Sequence, residues 1–205
     1  MSRLLTKLRE AIKDECVSRP FSLGGRGTCT QIDEAEFGHV QKAHKGRPST
    51  VMLDVWGAID QNTGALVLRP FQKLGEDGSR RFGPAKVEEV PPLVTRFVKT
   101  GGWIYSDKLR AYRSNLSALG YKHFALNHSS NPPEFVHPSC PEVHTQTIES
   151  VWSDMKTHFR AMHGVGHDSV ELHLFEFLWR RNLSAFNKNP FHDILLVLGS
   201  SSKHD

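Results

Sequence analysis

Long hydrophobic runs are missing from this chain, and no apolar stretch reaches the roughly 18 residues that read as a membrane-spanning helix. The N-terminal stretch MSRLLTKLREAIKDEC carries charge throughout its apolar part, which argues against a secretory signal. Cysteine is scarce: Cys16, Cys29 and Cys140 are odd in number, far apart and without a C-x-x-C pair. Neither a zinc ribbon nor a disulfide framework can be read from them, so reduced thiols in an intracellular protein are expected. The sequons at Asn115, Asn127 and Asn182 are then chance matches. The expected compartment is the nucleus in a eukaryote and the cytoplasm otherwise. Charge is also modest. A net +4 permits a polyanionic partner without demanding one.

What is present is a globular composition, with 38% hydrophobic and 23% charged residues, which excludes a disordered or fibrous chain. The 205 residues suffice for one well-cored domain with tails. Residues 3–17 place Leu4, Leu5, Leu8, Ile12 and Cys16 on one helical stripe. A glycine-rich lead-in, SLGGRG, precedes a strand over 28–37. TVMLDVWGAI (50–59) is rich in β-branched and apolar residues and reads as a second strand. The turn cluster DQNTG joins it to a third, Ala65 to Phe71. Residues 72–84 read as a surface loop and 87–99 as a helix with Pro91-Pro92 in its first turn. A short strand over 103–106, a helix over 107–119 and another strand over 121–126 follow. Residues 127–143 read as a long proline-rich loop. Helical apolar spacing then returns over 144–163 and 168–187.

Strands interleaved with helices indicate an α/β domain. Three meander strands before the first crossover is, by analogy, the order of a ribonuclease H-like fold. The expected architecture is a central mixed sheet, three antiparallel strands plus two parallel, flanked by helices. The expected division is an N-terminal helical segment (1–21), a core domain (22–187) and a C-terminal tail (188–205).

Three acids stand where chemistry could use them. Asp33 lies mid-strand, where aspartate is disfavoured; Asp107 follows a strand; Glu149 lies one turn into a helix. Packed together, three carboxylates repel and raise one another's pKa, a penalty that a divalent cation reverses. Oxygen ligands without a nearby Cys/His pair suit Mg²⁺ or Mn²⁺ rather than Zn²⁺. Taken singly, Asp107 could instead cap a helix, and Glu149 could simply face a helix dipole. His158, His163, His167 and His173 are irregularly spaced and have no cysteine among them, so they do not read as a zinc site. Trp152 and Trp179 read as core anchors.

The residues around the acids carry a family resemblance. Leu23-Gly24-Gly25-Arg26-Gly27 with Gln31-Ile32-Asp33-Glu34, Tyr105-Ser106-Asp107 with Ala111-Tyr112, and Leu119-Gly120-Tyr121 fall in order. His144-Thr145-Gln146-Thr147-Ile148-Glu149-Ser150-Val151-Trp152-Ser153 and then Lys156 follow, and Glu176-Phe177-Leu178-Trp179-Arg180-Arg181 closes the series. Together they resemble the catalytic domain of bacterial insertion-sequence DDE transposases related to the eukaryotic Merlin transposons. The resemblance spans about residues 8 to 187. It implies a ribonuclease H-like core and a DDE triad of Asp33, Asp107 and Glu149. Two Mg²⁺ or Mn²⁺ ions would be bridged by the aspartates, with Glu149 completing one coordination shell.

The resemblance further implies double-stranded DNA as partner, cleavage and strand transfer at terminal inverted repeats, and a homodimer on DNA. Lys156, about two turns after Glu149 and on its helical face, would contact DNA phosphate near the cut, with Arg160 one turn on. Lys42, Lys45 and Arg47 form a basic loop suited to backbone contacts, and His144 and Gln146 are candidates to line the site. Two departures stand out: a longer Asp107-to-Glu149 spacing, with its surplus in 131–143, and Gln146 where many relatives carry Asn. Family members often carry a zinc ribbon and a helical DNA-binding region upstream, and the resemblance implies that the helical segment 1–21 is a remnant of that region. A domesticated, non-transposing DNA-binding protein and a nuclease acting on RNA–DNA hybrids are the alternatives.

Overall fold

The computed structural model describes residues 3–38, 52–74, 80–82, 87–107, 116–126, 136–137, 140–162 and 167–201. Chain order gives α1 (Arg3–Ser18), β1 (Leu23–Gly24), β2 (Cys29–Gly38), β3 (Met52–Asp60), β4 (Leu66–Pro70), β5 (Gln72–Leu74) and β6 (Arg80–Phe82). After a 3₁₀ turn over Val87–Glu89 come α2 (Val90–Phe97), β7 (Val98–Lys99), β8 (Trp103–Asp107) and β9 (Lys122–Leu126). Then follow β10 (Val136–His137), β11 (Cys140–His144), α3 (Gln146–Ala161), α4 (His167–Ala185) and α5 (Pro190–Ser201).

The central sheet has five strands in the order β4-β3-β2-β8-β9. β2, β3 and β4 form an antiparallel meander, and β8 and β9 join it parallel to β2. This is the ribonuclease H-like topology, three antiparallel strands followed by two parallel ones, as expected from the element order. The meander turn is held by Asp60, whose Oδ1 accepts from the Asn62 and Thr63 backbone N–H groups at 3.0 and 2.9 Å.

Period-2 alternation gives the sheet two apolar faces, and each has its own core. On one face Leu53, Val55, Ile59, Leu66 and Leu68 pack against Ile148, Val151, Trp152 and Met155 of α3 and Leu174, Phe175 and Leu178 of α4. The α3 residues fall at helical spacing, as the sequence pattern required. On the opposite face Ile32, Trp56, Ala58 and Ile104 meet Val90, Val94 and Phe97 of α2. Pro91 and Pro92 sit in the first turn of α2, where their missing N–H groups cost no helical bond. Helices α1 and α5 pack on each other and on α4 through Ala11, Ile12, Val197, Ile194 and Trp179.

Three segments read as irregular contain regular structure. Residues 72–84 include the β5–β6 hairpin, and the proline-rich 127–143 segment includes the antiparallel β10–β11 pair with its register shift. Both are short and largely polar or proline-bearing, so neither shows the apolar alternation that marks a half-buried strand. The C-terminal stretch, expected as a tail, forms α5, which carries the apolar run Ile194 to Leu198. In the expected helix over 107–119, Asp107 is instead the last residue of β8, and 116–120 form a turn closed by Tyr121 N–H on Leu116 O at 3.1 Å. Residues 108–115 lie outside the described residues. Among the described residues no helix is long and apolar enough to cross a membrane.

Candidate active site

Parallel pairing of β2 with β8 sets Cys29 beside Trp103, Thr30 beside Ile104 and Gln31 beside Tyr105. Two residues further along each strand stand Asp33 and Asp107, on the face that Gln31 and Tyr105 share. Across the other side of β2, Asp33 is paired with Gly57 of β3. The N-terminal half of α3 lies over this face and carries Glu149 in its first turn.

Asp33 is largely enclosed, and its pKa is pushed up to about 6. Burial is the main cause; hydrogen bonds from the Glu34 backbone and the Trp152 side chain oppose it, and the negative charges of Asp107 and Glu149 add to it. Of the three acids predicted from the sequence, Asp107 and Glu149 are thus each within electrostatic reach of Asp33. The Trp152 Nε1–H donates to Asp33 Oδ2 at 2.9 Å.

The start of α3 is fastened to β2 by Gln31, a fully buried side chain. Its Oε1 accepts from the Ile148 N–H at 3.0 Å, and its Nε2 donates to Thr147 Oγ1 at 3.1 Å. One orphan N–H of the helix N-terminus is satisfied this way. His144, the last residue of β11, stands between two glutamines, its Nδ1 3.4 Å from Gln31 Nε2 and its Nε2 3.0 Å from Gln61 Nε2. It therefore links β11 to Gln31 of β2 and to the turn that follows β3. Gln146 is exposed at the first position of α3. Glu149 is exposed, and its Oε1 accepts from Thr145 Oγ1 at 2.7 Å.

Lys156 is exposed on α3 with its Nζ 6.0 Å from the centre of the Phe37 ring, the outer limit of a cation–π contact. Phe37 lies on the same face of β2 as Asp33, four residues on. Arg160 is exposed near the end of α3. Lys42, Lys45 and Arg47 lie outside the described residues. His158 and His173 are drawn together with Glu176, and both imidazoles are held below their ordinary pKa, chiefly by burial. His163 lies outside the described residues.

Do these residues suit a divalent cation? A buried carboxylate whose proton is retained by desolvation and by two neighbouring acids is the environment that a cation relieves. The donors are all oxygens, which fits Mg²⁺ or Mn²⁺. Among the described residues, however, no three His, Cys, Asp or Glu side chains are gathered tightly enough to hold an ion. Glu149 is engaged with Thr145 in this arrangement.

Gln31, Gly57 and the donor role of Trp152 were not drawn from the sequence. A polar residue in an otherwise buried strand, two positions before the acid and so on its face, was the available signal for Gln31. For Trp152 the signal was that a buried indole N–H needs an acceptor.

Fold and site define a ribonuclease H-like domain with acids on its two central neighbouring strands and on the helix above them. A family model of the ISXO2-like transposase domain matches residues 79–182, and the chain belongs to that family. The match includes Asp107 and Glu149 and begins after Asp33. A Haemophilus influenzae protein described as an uncharacterized transposase-like protein is 29% identical over 109 residues, which are 53% of this chain and 83% of that one. Among solved structures, a chain of the simian T-cell lymphotropic virus intasome in complex with PP2A regulatory subunit B56 gamma aligns at 15% identity and TM-score 0.42. That alignment covers 78% of this chain and 49% of the other, so this chain spans about half its length. The HTLV-2 integrase catalytic core domain in complex with magnesium (dimeric form) aligns at 12% identity and TM-score 0.39, over 82% and 98% of the two chains.

Proposed function

We propose that this transposase-family domain cleaves and joins DNA phosphodiesters, with Asp33, Asp107 and Glu149 as its divalent-metal ligands. The observation that carries the reading is that Asp33 and Asp107 each stand two residues beyond the pair Gln31–Tyr105 on adjacent parallel strands, with the burial-driven rise of Asp33 that both other acids reinforce. A divalent pair bound there would neutralise the carboxylates and polarise the oxygens of a phosphodiester. Asp33 and Asp107, on rigid strands, fix the ligand positions. Glu149 joins them from α3, and its release from Thr145 is the rearrangement that the reading requires.

Lys156 and Arg160, exposed along α3 beyond Glu149, bind the phosphate backbone of double-stranded DNA at the inverted-repeat ends. In the first step a water oxygen forms a bond to phosphorus, the bond to the departing 3′ oxygen breaks, and a 3′-hydroxyl is freed. In the second, that hydroxyl attacks a target phosphodiester and displaces another 3′ oxygen. Two protomers on paired ends complete the proposed assembly.

The test is strand cleavage of labelled inverted-repeat duplexes with Mg²⁺ or Mn²⁺. Asp107→Asn is expected to lower cleavage by a factor of about 10²–10³, on the scale of losing an electrostatic catalytic group, while DNA binding is retained. Cleavage at the wild-type rate in that variant rejects the site. Hydrolysis of RNA–DNA hybrids in preference to duplex DNA rejects the substrate.

A further inference from the structure

We propose that Trp152 is a positioning residue for this site: its indole N–H orients the Asp33 carboxylate, and the absence of a side chain at Gly57 provides the slot in which the indole lies. The inference rests on the reading of Asp33 just given.

The geometry is specific to an indole donor. Trp152 is 5% exposed and belongs to the core between sheet and helices, yet its one polar atom ends 2.9 Å from Asp33 Oδ2. A buried indole N–H needs an acceptor, and the one it meets here is the strand acid. The ring reaches that acid by crossing β3 at the residue paired with it, Gly57. A Cβ at position 57 would stand 2.3 Å from Cη2 and 2.7 Å from Cζ2 of the indole, closer than packed carbons approach. The edge-on contact with Phe37, 5.8 Å between ring centres, helps hold the ring in place.

Trp152 also stands three residues after Glu149 on α3. The bond therefore joins the strand that carries one acid to the helix that carries another. Together with the Glu34 backbone N–H, it holds the carboxylate by neutral donors without introducing a competing positive charge. Groups that orient a ligand in this way are worth about 10–100-fold in metal affinity.

The test replaces Trp152 with β-(3-benzothienyl)alanine, which keeps the fused ring and puts sulfur in place of N–H, alongside Trp152→Phe and Gly57→Ala. Readouts are Mn²⁺ affinity by calorimetry without DNA, the Mn²⁺ concentration for half-maximal cleavage, and the melting temperature. The benzothienyl protein is expected to melt close to wild type while binding Mn²⁺ at least about tenfold more weakly. Its half-maximal Mn²⁺ concentration should rise by the same factor, with the KM for DNA unchanged. Gly57→Ala keeps the N–H but displaces the ring, and should lose Mn²⁺ affinity in parallel. Wild-type Mn²⁺ affinity in the benzothienyl protein overturns the inference and leaves the site standing. Wild-type protein that neither binds Mn²⁺ nor cleaves overturns the site, and the inference falls with it.

Discussion

The proposed role of Asp33 is set against stability at that one residue. Its carboxyl titrates at about 6 in the fold against an ordinary value of 3.8, so between those values the native state binds more protons than the unfolded chain. Stability then falls as pH rises through that window, which is the sign for an acid whose pKa is raised by folding. The two-unit rise corresponds to at most about 3 kcal/mol, because each unit is worth about 1.4 kcal/mol. Asp33→Asn removes the charge and keeps an oxygen for the Trp152 N–H. Metal-free Asp33→Asn should therefore melt above wild type at pH 8 and level with it near pH 3.5, as read by calorimetry. Adding Mg²⁺ at pH 8 should raise the wild-type melting temperature and leave the variant's unchanged. A variant that melts below wild type at pH 8 contradicts the burial argument.

At the scale of the element, α3 is where most of the site is organised. Its apolar stripe, Ile148, Val151, Trp152 and Met155, was readable as periodicity, and so was the placement of Glu149 in the first turn. The β2 to β4 meander was readable because alternation and turn chemistry agree there. Less readable was what fixes the helix on the sheet. Gln31 and Ile148 are joined side chain to backbone across most of the chain, and periodicity carries no information about such pairings. The β5–β6 and β10–β11 pairs escaped notice because polar strands leave no apolar signature. The clamp has a measurable weight. Gln31→Leu strips the Ile148 N–H of its acceptor in a buried setting, at a cost of about 1–3 kcal/mol. Gln31→Glu keeps an acceptor but adds a charge on Asp33's face of β2. The leucine variant is expected to lose hydrogen-exchange protection in the first turn of α3 while the central strands keep theirs. Uniform loss across the molecule would mean that Gln31 acts on the whole core rather than on that helix end.

Taken whole, the molecule stacks helices α3 and α4 on one face of the sheet, with α1 and α5 added behind α4. This outer layer is tied in by charge as well as apolar contact. Arg9 Nε of α1 lies 2.5 Å from Glu176 Oε2 of α4, and Lys13 Nζ lies 2.6 Å from Glu171 Oε2. The first pair differs from an ordinary surface bridge because Arg9 and Glu176 side chains are only 15% and 12% exposed. Burial pushes Glu176 up, but its bonds to Arg9 and Arg180 outweigh that and hold it below the usual carboxylate range. A depressed acid contributes stability above its unfolded pKa, and that contribution is lost as pH falls through the folded value. Arg9→Met removes the inner partner and keeps most of the aliphatic volume, leaving Glu176 with the mostly exposed Arg180 and with His173, 3.9 Å away. Breaking one side of a fully buried pair costs about 3–5 kcal/mol, and residual exposure with a second arginine lowers the expectation to about 2 kcal/mol. In a domain of this size that is about 4–8 °C in melting temperature. The deficit should be present at pH 7 and shrink below about pH 4, as Glu176 takes up its proton in both states. Arg180→Met, which removes a partner 62% exposed, should cost far less. Equal losses in the two variants would show that the enclosed Arg9–Glu176 pair contributes no more than the exposed Arg180 contact.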